Sequence, residues 1–309
     1  MERRGLRPFL KWVGGKRQLL PVLRRYYPAS YGAYHEPFVG SGAVFFDLLA
    51  NGHLEGRPVM LSDDNADLIG CYARIADSLP AVITALECLA GGHARDGRAH
   101  YLQVRDTQFN PQRATWREAG GEVADYPPAL AAMLVYLNRT GYNGLFRVNA
   151  SGEYNVPPGR YERPRIVDHV LLAEVSAVLA RPNVRVQRAA FDRVLADARA
   201  GDFVYFDPPY APLSKTANFR GYTGRGFTDA DQAHLQQVMI ALSRRGVHVL
   251  LSNSTAASVA RLYDGNAEVT NAGLRTWQIP ARRAINSKAA GRGAVAELLV
   301  SNIGPTPSL

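Results

Sequence analysis

The chain has 309 residues, 47% hydrophobic and 20% charged, which is ordinary for a globular protein of one large or two modest domains. No apolar run reaches the roughly 18 residues of a membrane span, and Met1-Glu-Arg-Arg-Gly-Leu-Arg7 has no apolar stretch behind its charges, so neither a membrane nor a secreted protein is expected. A formal charge of +9, carried almost wholly by arginine, favours a polyanionic partner; Cys71 and Cys88 lack metal-ligand spacing, so a reducing cytoplasm and no metal are expected.

Residues 8–20, Pro-Phe-Leu-Lys-Trp-Val-Gly-Gly-Lys-Arg-Gln-Leu-Leu, place two glycines between Trp12 and Lys16. The pair permits a tight bend, and residues 16–23 read as an amphipathic helix. Gly-Gly-Lys-Arg lacks the Walker spacing, which argues against a nucleotide phosphate loop. Tyr34-His-Glu-Pro-Phe-Val-Gly-Ser-Gly42 then runs from a strand end into a glycine turn. Residues 43–50 read as a helix that Asn51-Gly52 ends. Such a turn lets a ligand approach the backbone, and the helix start adds N–H donors. The pattern is not Gly-x-Gly-x-x-Gly, so a dinucleotide site is disfavoured. Residues 58–65 read as a second strand ending in Asp63-Asp64-Asn65. An acid there, about 20 residues past a glycine turn, can accept both ribose hydroxyls. Asp64 or Asn65 can equally cap the next helix.

From residue 66 to about 180 the strand–helix alternation stops. Residues 67–89 read as helical with a break near Pro80, 91–97 as a loop, and 99–109 and 128–137 as further helices. The expected arrangement is a catalytic domain made of residues 1–65 and 166–309, with a mainly helical insert of residues 66–165. Within the insert, residues 145–149 and 153–156 alternate polar and aromatic side chains around Ala150-Ser-Gly152, a hairpin pattern. A two-stranded ribbon can enter a major groove, where arginine pairs both acceptors of guanine and asparagine reads adenine. A solvated hairpin whose asparagines only make turns has the same pattern.

Strands resume at residues 183–187, with a helix around 191–198. Phe203-Val-Tyr-Phe206 reads as a strand buried on both faces. It stops at Asp207, and Pro208-Pro209 donate nothing to a ladder. An acid and the Tyr210 ring are thus held on a stiff turn at a strand's carboxyl end, where open α/β sheets bind ligands. This suits methylation of an exocyclic aromatic amine. Asp207 and the Pro208 carbonyl can each accept one amino hydrogen, which turns the nitrogen lone pair toward a methyl donor. Tyr210 offers a face for an extruded base. Residues 211–226 read as a loop carrying Ser214, Lys215, Arg220 and Arg225; Thr228-Asp-Ala-Asp231 reads as a helix start. Residues 247–252 read as another strand, and 268–280 and 295–302 as a closing pair around a basic loop suited to a DNA backbone. The last residues, 304–309, read as a disordered tail.

Asp207-Pro-Pro-Tyr-Ala-Pro-Leu-Ser-Lys-Thr-Ala-Asn-Phe219 resembles the Dam-type DNA adenine-N6 methyltransferases, which use S-adenosylmethionine. The likeness covers residues 9–302, with glycine loop, recognition insert and Asp-Pro-Pro-Tyr in the family's order. It implies a Rossmann-like methyltransferase sheet with helices on both faces and an antiparallel closing strand, class α/β. It implies Asp207, Pro208 and Tyr210 as the catalytic group. It places Trp12, Lys16, Glu36, Pro37, Phe38, Gly40, Gly42, Asp63 and Asp207 at S-adenosylmethionine, with Asp64 as the fallback for Asp63, and Ser252-Asn-Ser254 near the site. On double-stranded DNA it implies Arg147 reading guanine and Tyr142 beside the flipped base. Leu145, Asn149, Asn155 and Pro157 fall at bases, Lys11 near the DNA, and Arg105, Arg160 and Lys215 at phosphate. It further implies GATC as the site and a nucleoid-associated, cytoplasmic enzyme, with a monomer expected. The competing readings are the same fold acting on an RNA or protein amino group, and a catalytically silent DNA-binding protein.

Overall fold

The computed structural model describes residues 6–12, 15–210, 226–282 and 294–306. Its sheet comprises β1 (Tyr34–Glu36), β2 (Val59–Asp63), β3 (Val184–Arg188), β4 (Phe203–Phe206), β5 (His248–Ser254), β6 (Arg275–Arg282) and β7 (Ala294–Ser301). The spatial order is β3-β2-β1-β4-β5-β7-β6. Strands β1 to β5 pair in parallel, whereas β7 runs antiparallel to both β5 and β6. The first three strands build outward on one side of β1, and the chain then returns to place β4 on its other side. That reversal opens a crevice beyond the carboxyl ends of β1 and β4, the position where this class of sheet binds ligands.

Helices α1 (Leu20–Leu23) and α2 (Ala43–Ala50) lie before β2; α3 (Ala66–Asp77), α4 (Leu79–Gln103), α5 (Asn110–Glu118), α6 (Pro128–Thr140) and α7 (His169–Leu179) separate β2 from β3. Helix α8 (Val194–Asp197) precedes β4, α9 (Asp229–Arg244) precedes β5, and α10 (Ala257–Tyr263) and α11 (Ala267–Asn271) precede β6. All four residues of β4 are buried, and they alternate between two apolar cores. Phe203 and Tyr205 join the larger core, which continues into α3, α4, α6 and α7; Val204 and Phe206 join the one under α9 and α10. Asp202 ties the start of β4 to β1, accepting from the backbone N–H of Ala33 at 2.8 Å and of Arg199 at 2.8 Å. Among the described residues no single helix is long and apolar enough to cross a membrane.

Four segments depart from the sequence reading, one being residues 304–306 of the expected disordered tail, where Thr306 donates its N–H to the Arg25 carbonyl at 2.7 Å. Residues 91–97 are not a loop but part of α4, which is interrupted only at Gly97 (φ 47°). Gly92 serves packing there: a Cβ on it would lie 2.3 Å from the His100 ring, which folds back across the kink. Residues 268–271 begin as helix, not strand, because the Asn266 side chain accepts from the backbone of Glu268 and Val269 and caps α11. Residues 16–23 form a 3-10 turn, Lys16–Gln18, followed by the single turn α1, since Pro21 cannot donate within a longer helix. The capping box at Thr228, with Asp231 answering from the third helical position, starts α9 as expected. Asn65, not Asp64, caps α3, accepting from the backbone of Asp67 and Leu68.

Candidate active site and recognition ribbon

Asp207 follows β4 directly. Its carboxylate meets the Lys16 ammonium at 2.7 Å, and the Lys16 side chain is only 2% exposed. Lys16 also donates to the Tyr210 hydroxyl at 2.7 Å and lies 4.5 Å from that ring's centroid. The Tyr210 hydroxyl in turn donates to Glu297 of β7 at 2.9 Å. Burial pushes the Asp207 carboxyl up to about 6; Lys16 opposes this, Glu297 adds to it, and a bond from Ser252 lowers it. Beneath it, Tyr205 and Ser252 share a hydroxyl contact of 2.7 Å. The Pro208-Pro209 turn is clamped from α9: Gln232, 1% exposed, donates to the Pro209 carbonyl at 3.2 Å and accepts from Asn253 at 2.9 Å.

The glycine turn lies beside this group at the end of β1. Gly40 (φ 46°) and Gly42 (φ 69°) both take the left-handed backbone that favours glycine. A Cβ on Gly40 would sit 2.8 Å from the Trp12 indole, so the indole covers the turn only because no side chain is there. Glu36, at the end of β1, is 2% exposed and accepts from the Tyr34 hydroxyl at 2.7 Å and the Phe45 N–H at 3.1 Å. Its burial pushes the carboxyl up to about 8; those two bonds lower it, while the nearby Asp207 charge raises it. Pro37 and Phe38 follow; the Phe38 ring stacks on Phe191 (5.4 Å, 23°) and meets Phe227 edge-on (5.6 Å, 84°). Across the crevice Asp63 accepts from the N–H of Gly40 at 3.2 Å and of Asn65 at 3.0 Å. Loss of water around Asp63 pushes its carboxyl up to about 6, although those backbone bonds favour the charged form. Asp64 is exposed and lies 3.8 Å from Arg188.

The insert presents residues 141–161 on α4, the π-helical turn Val104–Phe109, α5 and α6. The expected hairpin is a ribbon bridged at Val148 to Tyr154, with flanking backbone bonds Asn149 N–H to Glu153 and Asn155 N–H to Arg147, and a second bridge, Gly141 to Pro158, at its base. Asn110 holds its return arm by pairing with both the N–H (2.8 Å) and the carbonyl (3.0 Å) of Tyr154. Tyr101 and Arg105 both donate to the Val156 carbonyl at 3.0 Å, and Arg105 also pairs with Asp106. Arg113 spans Asp67, at 2.8 Å in a buried ion pair, and the Gly152 carbonyl. Asn138, 2% exposed, accepts from the Lys11 N–H (2.8 Å) and donates to the Lys11 carbonyl (2.7 Å) and the Gly144 carbonyl (3.0 Å). Trp12 stacks on Phe146 of the ribbon (5.9 Å, 24°). The segment carrying Lys11 and Trp12 therefore joins the glycine turn to the ribbon.

The family model for D12 class N6 adenine-specific DNA methyltransferase matches residues 12–277. The chain belongs to this family. Against the type II methyltransferase M1.LlaDCHI of Lactococcus lactis subsp. cremoris it is 36% identical over 299 residues, covering 97% of this chain and 96% of that one. Against the type II methyltransferase M.MjaIII of Methanocaldococcus jannaschii it is 37% identical over 308 residues, 96% of this chain and 99% of that one. Against the DNA adenine methylase of Escherichia coli K12 it is 34% identical over 295 residues, 95% and 94% of the two chains.

In this D12 class methyltransferase the residues singled out from sequence fall into three groups. Lys16 bonds both Asp207 and Tyr210, with Pro208 in the same turn. Trp12, Glu36, Pro37, Phe38, Gly40, Gly42 and Asp63 line or brace the neighbouring glycine turn. On the ribbon, Arg147 bonds the Asn155 side chain at 2.7 Å, and the Asn149 amide closes the turn against Glu153 at 2.9 Å. Tyr142 is 39% exposed, its backbone N–H bonded to the Pro157 carbonyl at 2.9 Å; Leu145 is half-buried, and Arg160 is exposed. Lys11 caps the Tyr161 ring at 4.0 Å. Lys215, with Ser214, Arg220 and Arg225, lies outside the described residues, as do most of the basic stretch before β7 and residues 307–309. Gln232 and Glu297 were not anticipated. Glu297 carried a signal, being a lone acid in the apolar run Val-Ala-Glu-Leu-Leu-Val; Gln232 carried a weaker one, one residue past a capping box.

Proposed function

We propose that this DNA methyltransferase moves the methyl group of S-adenosylmethionine to N6 of an adenine turned out of duplex DNA, within GATC. The observation that carries the reading is Asp207 at the carboxyl end of β4, 2.7 Å from Lys16 and beside a glycine-walled crevice closed by Asp63. The crevice suits the donor. Gly40 and Gly42 hold the turn in left-handed backbone close under the Trp12 indole, and the Asp63 oxygens keep lone pairs for ribose hydroxyls beyond the two N–H groups they accept. Trp12, Lys16, Glu36, Pro37, Phe38 and Asp207 complete the wall that would hold it. When bound, the donor supplies an electrophilic methyl group on a sulfonium.

The chain's own residues then act on the amine. Lys16 releases the Asp207 oxygen that it occupies, Asp207 and the Pro208 carbonyl each accept a hydrogen bond from one N6 hydrogen, and the single proton that the methyl group displaces leaves by way of the Asp207 carboxylate. The amine's lone pair turns toward the methyl group, and the carboxylate offsets positive charge growing on the nitrogen. The Tyr210 ring supports the base once it has left the stack. On the duplex, Arg147 pairs guanine when it turns from Asn155, and Tyr142 fills the gap the base leaves. Leu145, Asn149, Asn155 and Pro157 meet base edges, while Lys11, Arg105, Arg160 and Lys215 serve the backbone. Residues 66–165 form the target-recognition unit of this scheme. A GATC duplex compared with its single-base variants tests it: methyl transfer to GATC alone is expected, and equal rates on all would reject the site.

A further inference from the structure

A carboxylate beside the catalytic turn of a protein with net charge +9 is a cost twice over. Glu297 repels the phosphates that the rest of the surface attracts, and it opposes ionisation of Asp207. Its position is nevertheless well defined. It pairs in register with Ser254, the last residue of β5, and with Ile279 of β6, so β5 alone lies between its strand and β4. Its neighbours Leu298 and Leu299 are buried, so the strand is anchored on both faces. From there its oxygen accepts from the Tyr210 hydroxyl at 2.9 Å, while Lys16 donates to that hydroxyl from the other side at 2.7 Å. The phenol is thus held between an anion and a cation, although the residue is 36% exposed.

We infer that Glu297 is a positioning residue for methyl transfer, fixing the Tyr210 ring in the plane on which the extruded base rests. Two contacts on one hydroxyl set both the swing of the ring about its Cα and the direction of its proton. With Glu297 absent, Lys16 is the one described residue still bonded to the phenol. Lys16 must also leave Asp207 when the amine arrives, so the ring is then least restrained at the moment it is needed. This rests on the reading of Asp207 and Tyr210 as the transfer site.

The test is a double-mutant cycle of Glu297→Ala and Tyr210→Phe, with Glu297→Gln as the conservative variant. It is read as single-turnover methyl transfer to a GATC duplex and as fluorescence of 2-aminopurine at the target position. Loss of a bond to a charged acceptor predicts a rate about 10- to 100-fold lower for Glu297→Ala, with duplex affinity and melting temperature near wild type. Glu297→Gln keeps an acceptor oxygen and restores most of the rate. In the Tyr210→Phe background, Glu297→Ala adds less than about two-fold to the rate loss and no further fluorescence change. A wild-type rate for Glu297→Ala overturns the inference. So does a full additional loss in the Tyr210→Phe background, or a fall in melting temperature that tracks the rate and that Gln does not repair. If the wild-type enzyme transfers no methyl group to duplex DNA, the reading of the site fails first and this inference falls with it.

Discussion

Lys16→Met removes the ammonium from Asp207 while keeping a side chain of similar length in a position that is 2% exposed. Burial already pushes the Asp207 carboxyl up to about 6 with that ammonium 2.7 Å away. An opposite charge at this range lowers a carboxyl pKa by about 1–3 units, so without it the midpoint moves to about 7–9. Near pH 7 a group with pKa about 6 is roughly nine-tenths ionised, and one with pKa about 8 roughly one-tenth. A protonated Asp207 offers a hydrogen where the N6 amine needs an acceptor. Single-turnover transfer by Lys16→Met is therefore expected to be about ten-fold slower near pH 7 and to recover toward about pH 9.5. The assay follows labelled methyl transfer to a GATC duplex, with donor and DNA saturating, from about pH 5.5 to 9.5. An acid limb that coincides with the wild-type curve refutes the reasoning. So does a loss of the same factor at every pH, which would give Lys16 a role unconnected with the charge of Asp207.

Gly40→Ala places a Cβ 2.8 Å from the Trp12 indole at a φ of 46°, so donor affinity is expected to fall at least about ten-fold with duplex binding preserved, as titration calorimetry of each ligand will read. Glu36, with its carboxyl pushed up to about 8, holds a proton in the folded state that the unfolded chain has already released. Its contribution to stability is complete below the ordinary carboxyl range and is lost as pH rises toward about 8, with a slope of up to about 1.4 kcal/mol per pH unit. Glu36→Gln should flatten the fall in melting temperature between those limits, and an unchanged slope would show that Glu36 is not the group responsible. Asp67→Asn leaves the Arg113 guanidinium buried without its counter-charge and should cost about 3–5 kcal/mol in urea unfolding. Adding Arg113→Met to that variant should return a good part of the loss, and a double variant weaker than the single one would contradict this account.

The parts of the site legible in sequence are those whose geometry is local. Four apolar residues ending at Asp207-Pro-Pro specify a buried strand and its stop within eight residues. The glycine turn and the Thr228 capping box are likewise read from spacing alone, whereas spacing leaves Asp64 and Asn65 equal as the cap of α3 and the structure selects Asn65. What was not legible joins distant positions: Tyr210 meets Glu297 from 87 residues away, and Asn138 meets Lys11 across 127. No pattern in the Asn138 neighbourhood distinguishes an amide that bonds another segment's peptide from one that makes a turn. The glycines of residues 91–97 misled for the opposite reason. Gly92 marks close packing and Gly97 the kink itself, uses that leave the same local trace as a loop.

The Asn138 amide binds both polar groups of the Lys11 peptide, as a neighbouring strand would, and adds the Gly144 carbonyl. Residues 6–12 are therefore grafted onto the insert, although β1 and β2 separate the two in the sequence. Because those partners are main-chain atoms, a chimera that takes residues 66–165 alone keeps the rung only where the host's own segment brings a peptide to the same place, and one that carries residues 6–12 as well keeps it outright.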